Sequence, residues 1–183
     1  MILLERFLEE FRYNCRTVLG SKPRIMLLCE SYLCIDVNAE RLLFFLLSTI
    51  SYLYHRNPDL TDFEIQGEYD GDEDQIVLTI LADKQYDIGT RERSSLSIDY
   101  SKIISLQEEV IDMFCQTYHV TRLESAADGS NRLSFRIPAP HDLTEEVYQL
   151  RSSNLEKYNA NVEENTYSVY HLFLSEIKPF RFY

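Results

Sequence analysis

The sequence lacks the long apolar run that a membrane protein needs. No stretch approaches the roughly 18 uninterrupted apolar residues of a transmembrane helix. The first residues, MILLERFLEEFR, carry charges at helical spacing, whereas a secretory signal would have an apolar block followed by a cleavage site. We therefore expect no membrane segment and a cytoplasmic protein.

Motifs for metal binding or disulfide formation are missing too. The cysteines lie within apolar stretches and form neither a CxxC pair nor a Cys/His cluster; they are Cys15, Cys29, Cys34 and Cys115. Zinc sites and disulfide frameworks depend on such spacings. We predict buried thiols in a reducing compartment and no metal site.

An excess of positive charge is also absent. The chain has 30 acidic against 18 basic residues and a formal net charge of −12. This charge repels the phosphate backbone of nucleic acids and anionic membrane surfaces at long range. We predict no nucleic-acid binding and a protein partner with a basic surface.

Tryptophan is the one residue type that does not occur, but 13 tyrosines and 10 phenylalanines are present. Most of them stand at strand or helix spacing, which is typical of core packing. With 45% hydrophobic residues over 183 positions, the chain is long enough for one well-packed core. We expect one domain with an appended segment.

Apolar residues three and four positions apart predict three helices in this domain. The first, over residues 3–19, ends before Gly20. The second, AERLLFFLLSTISYLYH, begins after the capping residue Asn38 and must be buried on several sides. The third, KIISLQEEVIDMFCQTY, is expected to bury a stripe formed by Ile103, Leu106, Val110, Met113 and Phe114.

Short apolar segments rich in β-branched and aromatic residues predict six strands. RIMLLCES and YLCIDV are interpreted as neighbours joined by a tight turn at residues 30–32. FEIQGEY and QIVLTILA form a hairpin through the acidic turn DGDED, and HVTRLES and NRLSFRI form another around ADGS. With helices on one face of a mixed sheet, the predicted fold class is α+β, a two-layer sandwich.

Two regions lie outside this sandwich. Residues 84–101 show no clear period and are predicted to form a long loop. The composition changes after Pro138, so we assign residues 1–138 to the domain and 139–183 to a C-terminal extension. In the extension we predict a helix that begins at Asp142 or Thr144 and a strand over YSVYHLFLSEIKPFRFY. This extension packs on the domain or on a partner.

The order of these elements resembles the ATP-binding catalytic domain of sensor histidine kinases, in the superfamily of gyrase-, MutL- and histidine-kinase-type (GHKL) ATPases. The resemblance covers roughly residues 1–138 and implies the Bergerat-type fold. The closing hairpin of that family commonly reads ES-x-x-G-x-G-S-x-F-x-F-x-LP. The stretches that carry the similarity are NAERLLFFLLSTISYLY for the Asn-box helix, DQIVLTILADKQYDI for the strand before the first glycine box, and ESAADGSNRLSFRIP for the closing hairpin.

The resemblance places the family's nucleotide-site residues on particular positions of this chain. The magnesium-binding Asn of the pattern LLSN falls on Thr49, and the polar residue of the reaction centre falls on Phe45. The adenine-reading Asp of D-x-G-x-G falls on Asp83, but other residues replace both glycines of that motif. An alternative alignment on residues 87–89 restores one of the two glycines. The second glycine-rich box has no glycine in SIDYSKIISLQ. Asp83 and Thr49 are therefore the candidate cofactor-binding residues, and no catalytic residue is assigned.

Because the metal ligand, the polar reaction-centre residue and the glycines are missing together, we expect a pseudo-ATPase. It would need no cofactor and would act as a regulatory or scaffolding protein-binding module in bacterial-type signal transduction; a homo-oligomer stays open. One alternative is an ATP-binding protein of kinase or anti-sigma type, with Mg-ATP as cofactor. Its site would consist of Asp83, Thr49 and the basic residues Lys84, Arg91, Arg93 and Lys102. Another is a phosphotransfer or response-regulator-docking protein.

Overall fold

A computed structural model describes residues 1–20, 24–83, 100–123, 131–140, 165–175 and 177. The helices in these ranges are α1 (Leu4–Leu19), α2 (Ala39–Arg56), α3 (Ser101–Tyr118) and α4 (Asn165–Leu174). The strands are β1 (Ile2–Leu3), β2 (Arg24–Cys29), β3 (Cys34–Ile35), β4 (Asp62–Asp70), β5 (Gln75–Asp83), β6 (Thr121–Leu123) and β7 (Arg132–Pro138). In the described part of the chain, no helix combines the length and apolar character needed to cross a membrane.

The main sheet has five strands in the order β2-β4-β5-β7-β6. β2 runs parallel to β4 and the other pairs are antiparallel, so the sheet is mixed as predicted. One face is buried at alternate positions, because successive side chains of a strand point to opposite faces. Its central row joins Ile65, Ile80 and Leu133 across three strands. The helices cover this face, which confirms the α+β two-layer fold.

Helix α2 lies at the centre of the helical layer. Its first turn is capped by Asn38, whose side-chain oxygen accepts a hydrogen bond from the Arg41 N–H at 3.1 Å, as the sequence predicted. Eleven residues of the helix are buried, and α1 buries the predicted stripe of Leu4, Leu8, Phe11 and Cys15 in the same core. Burial on several sides explains why α2 is apolar almost all round.

The predicted pairing of β2 with β3 is wrong. The Glu30 N–H donates to Gly67 O and continues the β2–β4 ladder, after which Tyr32 takes a positive φ of 73° and turns the chain away from the sheet. β3 pairs instead with the short N-terminal strand β1, with Ile2 opposite Ile35. Both of these isoleucines are buried, so the small sheet closes one end of the core.

The stripe predicted to be the buried face of α3 is also largely wrong. Phe114 is buried, but Leu106 is 62% exposed and Met113 is 66% exposed, and Ile103 and Val110 are exposed as well. The helix presents the neighbouring stripe to the core, which consists of Ile104, Gln107, Ile111, Phe114 and Tyr118. Two apolar stripes at helical spacing occur side by side in this sequence, and packing against α2 selects one of them.

The described part of the C-terminal extension is a helix, α4, where a strand was predicted. The Tyr170 ring lies 5.5 Å from Phe11 of α1, and the Phe173 ring lies 5.9 Å from Phe44 of α2. Tyr170, Phe173 and Leu174 also fit helical spacing, and contact with two helices favours that reading. The helix predicted near residue 142 and the terminal aromatics fall outside the described residues, as do the turn ADGS and most of the predicted loop 84–101.

Candidate functional site

Thr49, the position that the resemblance assigns to the magnesium ligand, lies in the middle of α2 and is fully buried. Its hydroxyl donates a hydrogen bond to the backbone oxygen of Phe45 at 2.7 Å. A mid-helix threonine commonly satisfies its hydroxyl in this way, by bonding to the carbonyl four residues earlier. The only proton of the Thr49 hydroxyl is therefore engaged within its own helix.

Phe45, to which the resemblance assigns the position of the polar reaction-centre residue, lies in an aromatic cluster. Its ring stacks on Phe114 of α3, with centroids 4.2 Å apart and an interplanar angle of 18°. It meets Phe135 of β7 edge to face at 4.8 Å and 77°. Both geometries are favoured by the ring quadrupoles, and all three rings are buried. The three rings occupy the space between α2, α3 and the sheet.

Asp83, the candidate adenine-reading residue, is the last residue of β5 and lies opposite Asp62 on β4. Asp83 is exposed, whereas Thr49 belongs to the closed interior. Two open depressions, of about 410 Å³ and 360 Å³, are lined by described residues, and neither includes Thr49 or Asp83. Neither of these depressions, as the described residues line them, brings Thr49 and Asp83 together.

Most other residues named for an atypical nucleotide site cannot be placed. Residues 84–99, with Lys84, Arg91, Arg93 and the alternative Asp87–Gly89 alignment, lie outside the described residues. Lys102 is exposed in the first turn of α3. Within the described ranges, no group of three or more His, Cys, Asp or Glu side chains is arranged to hold a metal ion.

A buried polar cluster between α2 and α3 was missed by the sequence analysis. The Gln107 side-chain amide donates to Ser51 Oγ at 2.6 Å and lies 3.0 Å from His55 Nδ1, while Ser51 Oγ is 3.3 Å from the same nitrogen. The amide nitrogen is a donor only, so Nδ1 is the acceptor in its contact with Gln107. Tyr100 packs on the His55 ring at 4.7 Å. The four-residue spacing of Ser51 and His55 was the only sequence signal, since Gln107 comes from another helix.

The cysteine thiols show no sign of activation. Cys15 and Cys34 are buried as predicted, while Cys29 and Cys115 are half-buried, and none of the four forms a disulfide with a described residue. Burial, followed by the Glu5 carboxylate, raises the pKa of Cys29 to about 12. Burial, followed by Asp112, raises the pKa of Cys115 to about 11. At neutral pH these groups are thiols, and a nucleophile or metal ligand must be a thiolate.

No protein-family model matches this sequence, and a search of curated proteins found no match. Among solved structures, the chain is similar to the histidine kinase AdeS of Acinetobacter baumannii, at 12% identity and a TM-score of 0.51, over 75% of this chain and 66% of that one. It is also similar to the blue-light activated histidine kinase EL346 of Erythrobacter litoralis, at 13% identity and a TM-score of 0.48, over 75% of this chain and 46% of that one.

A histidine kinase from Burkholderia phymatum is similar at 15% identity and a TM-score of 0.46, over 74% of this chain and 68% of that one. The chain thus spans between about half and two thirds of the length of these kinases. At sequence identities this low, the similarity shows only that the backbones are arranged alike. In that respect the chain has the α+β fold of the histidine kinase ATPase domain.

Proposed function

We propose that the chain is a non-catalytic, histidine-kinase-like module that acts as a regulatory or scaffolding protein-binding domain in bacterial-type signal transduction. The observation that carries this proposal is the aromatic cluster of Phe45, Phe114 and Phe135. The residues that resemblance assigns to magnesium binding and to the reaction centre supply a buried hydroxyl and a phenyl ring. A phenyl ring can neither accept a proton nor orient a water molecule.

Thr49 supports the same conclusion. Magnesium requires oxygen ligands in near-ideal octahedral geometry and keeps several water molecules. The Thr49 hydroxyl is buried and donates to Phe45 O, so binding such an ion would require α2 and its neighbours to separate. Opening a packed core to admit water and phosphate is costly, because close-packed side chains lose their contacts.

The exposed stripe of α3 is the surface that we assign to partner binding. Ile103, Leu106, Val110 and Met113 recur at intervals of three, four and three residues, which is the spacing by which one helix packs along another. Single exposed apolar residues are ordinary, but a continuous stripe indicates an interaction surface.

The charges beside this stripe indicate its partner. Glu108, Glu109 and Asp112 lie along α3, against the single basic residue Lys102. Glu108 accepts a hydrogen bond from Tyr52 and Asp112 pairs with Arg122 at 3.8 Å, so Glu109 is the acidic group most open to a partner. We infer that the occupant is an amphipathic helix with an apolar stripe flanked by Lys or Arg.

One observation favours the alternative of an atypical ATP-binding protein. Asp83 is exposed at the end of a central strand, so its carboxylate is accessible from solvent. In this alternative, Asp83 reads the adenine and Mg-ATP stabilises the folded chain by mass action.

Calorimetric titration with ATP and ADP, with and without Mg²⁺, distinguishes the two. We expect no heat of binding and no change in melting temperature at millimolar nucleotide, for the chain and for Asp83→Asn alike. Micromolar binding that is lost in Asp83→Asn would overturn the non-catalytic assignment. Asp59→Asn, which removes one carboxylate elsewhere on the molecule, is the matched control.

A further inference from the structure

Three arginines line one depression on a chain whose net charge is −12. Arg12 and Arg16 come from α1 and Arg24 from the start of β2, and the depression of about 360 Å³ is completed by Ile25, Met26 and Leu27. Among the described residues, none of the three guanidinium groups has an ion pair or side-chain hydrogen bond. Guanidinium groups bind carboxylates in bidentate geometry, so this depression is suited to an acidic ligand.

The same depression borders a sheet edge that no other described strand covers. β2 is the first strand of the five-stranded sheet and pairs there with β4 alone. The Glu30 N–H points to Gly67 O on β4, and the backbone groups of successive residues point to opposite sides of a strand. Ile25, Leu27 and Cys29 therefore direct their N–H and C=O groups to the free edge. An edge of this kind is a template for another extended chain.

The two faces of the sheet differ along this edge. Met26 and Leu28 belong to the outer face of β2 and are 54% and 59% exposed. Arg12 and Arg16 belong to α1, which lies on the opposite, helical side of the sheet. A strand added beside β2 would point alternate side chains to these two sides. Its favoured sequence thus alternates acidic residues toward Arg12 and Arg16 with apolar residues toward Met26 and Leu28.

We infer that the free edge of β2 binds an extended segment of a partner protein, in which Asp or Glu alternates with apolar residues, as a sixth strand. Backbone hydrogen bonds to Ile25, Leu27 and Cys29 supply affinity, and Arg12 and Arg16 select the acidic pattern. A second copy of this chain fits less well, because its corresponding strand, RIMLLC, contains no carboxylate and would leave the arginines unpaired. The surface is distinct from the α3 stripe and does not depend on it.

The test uses a fluorescent eight-residue peptide in which Glu alternates with Val, titrated with the full chain. Three comparison peptides are a block peptide of the same composition, a version with Lys in place of Glu, and a version N-methylated at alternate residues. We expect binding of the alternating peptide, at least tenfold weaker binding of each comparison peptide, and a loss of affinity with salt. Equal binding of the block or N-methylated peptide would show a simple anion site and overturn the strand-pairing inference.

Variants of the chain complete the test. Arg12→Glu/Arg16→Glu should weaken binding of the alternating peptide at least tenfold. Arg41→Glu/Lys102→Glu, which changes the net charge equally at other exposed positions, should leave it unchanged. Circular dichroism establishes that both variants are folded. Absence of peptide binding at millimolar concentration, or self-association of the chain that Met26→Lys abolishes, would overturn the assignment of an acidic partner.

Discussion

The ring of Phe45 lies stacked on the ring of Phe114, with centroids 4.2 Å apart and planes inclined by 18°. This contact joins α2 and α3 directly. Phe135 closes the cluster from the sheet, so ring packing joins α2, α3 and β7 at this level. The position to which the resemblance assigns the polar reaction-centre residue is thus part of the core.

Truncation of Phe45 should be strongly destabilising. Phe45→Ala leaves a cavity between three elements, and we expect a loss of about 3–5 kcal/mol in the free energy of unfolding, measured by urea denaturation. Phe45→Leu keeps most of the side-chain volume and should lose much less free energy of unfolding. It can still be measured if the alanine variant does not fold. Phe44→Ala, at a part-exposed neighbour, is the control. Equal effects at both positions would contradict the proposed role of the cluster.

The exposed stripe of α3 should tolerate polar substitution. Leu106→Gln is expected to change the free energy of unfolding by no more than about 0.5 kcal/mol, since Leu106 is largely exposed. Ile111→Ala, one turn along the same helix but fully buried, should cost about 2–5 kcal/mol. Thermal and urea unfolding of the two variants give the comparison. A loss of several kcal/mol in Leu106→Gln would show that the chain itself covers the stripe.

Gly67 should resist even the smallest side chain. Its paired residue on β2 is Cys29, and a Cβ at position 67 would lie 2.8 Å from the Cys29 sulfur and 3.3 Å from Leu4 Cδ2. We expect Gly67→Ala to destabilise the fold by about 1–3 kcal/mol in urea unfolding, through overpacking. Gly71→Ala in the hairpin turn is the control, because its nearest contact would be an ordinary 3.6 Å. The double variant Cys29→Ala/Gly67→Ala should recover part of the loss, and strict additivity would exclude the clash.

The Cys29 thiol should make stability fall at alkaline pH. Burial is the main cause that raises its pKa from 9.0 to about 12, so the folded chain favours the protonated thiol. This contribution to stability is fully present below pH 9 and is lost as the pH rises through about 12. Between pH 8 and pH 11, the free energy of unfolding measured in urea should therefore fall less for Cys29→Ala than for the unmodified chain. Parallel pH profiles for the two proteins would contradict the assignment.

Local patterns in the sequence were sufficient for most of the elements. The spacing of Leu4, Leu8 and Phe11 predicts α1, and the side-chain oxygen of Asn38 predicts where α2 begins. The turn DGDED between two alternating segments predicts the β4–β5 hairpin, which the structure confirms. These features depend on neighbours a few residues away, so a single sequence contains the information needed to find them.

The candidate site was only partly accessible in this way. Resemblance placed Thr49 and Phe45 on α2, but the stacking on Phe114 and the contact of Ser51 and His55 with Gln107 join residues more than 50 positions apart. No periodic pattern connects such pairs. The arginine depression likewise joins α1 to β2, although the four-residue spacing of Arg12 and Arg16 was visible in the sequence.

The sequence by itself determined where helices and strands form in the domain, the acidic surface charge and the absence of paired cysteine motifs. Only the tertiary structure decided that α3 turns Ile111 inward and Leu106 outward, that β2 pairs with β4, and that residues 165–174 form a helix. In each case the chain offered two patterns of nearly equal local merit. The choice between them came from burial against distant elements, whose free energy exceeds the small differences in local propensity.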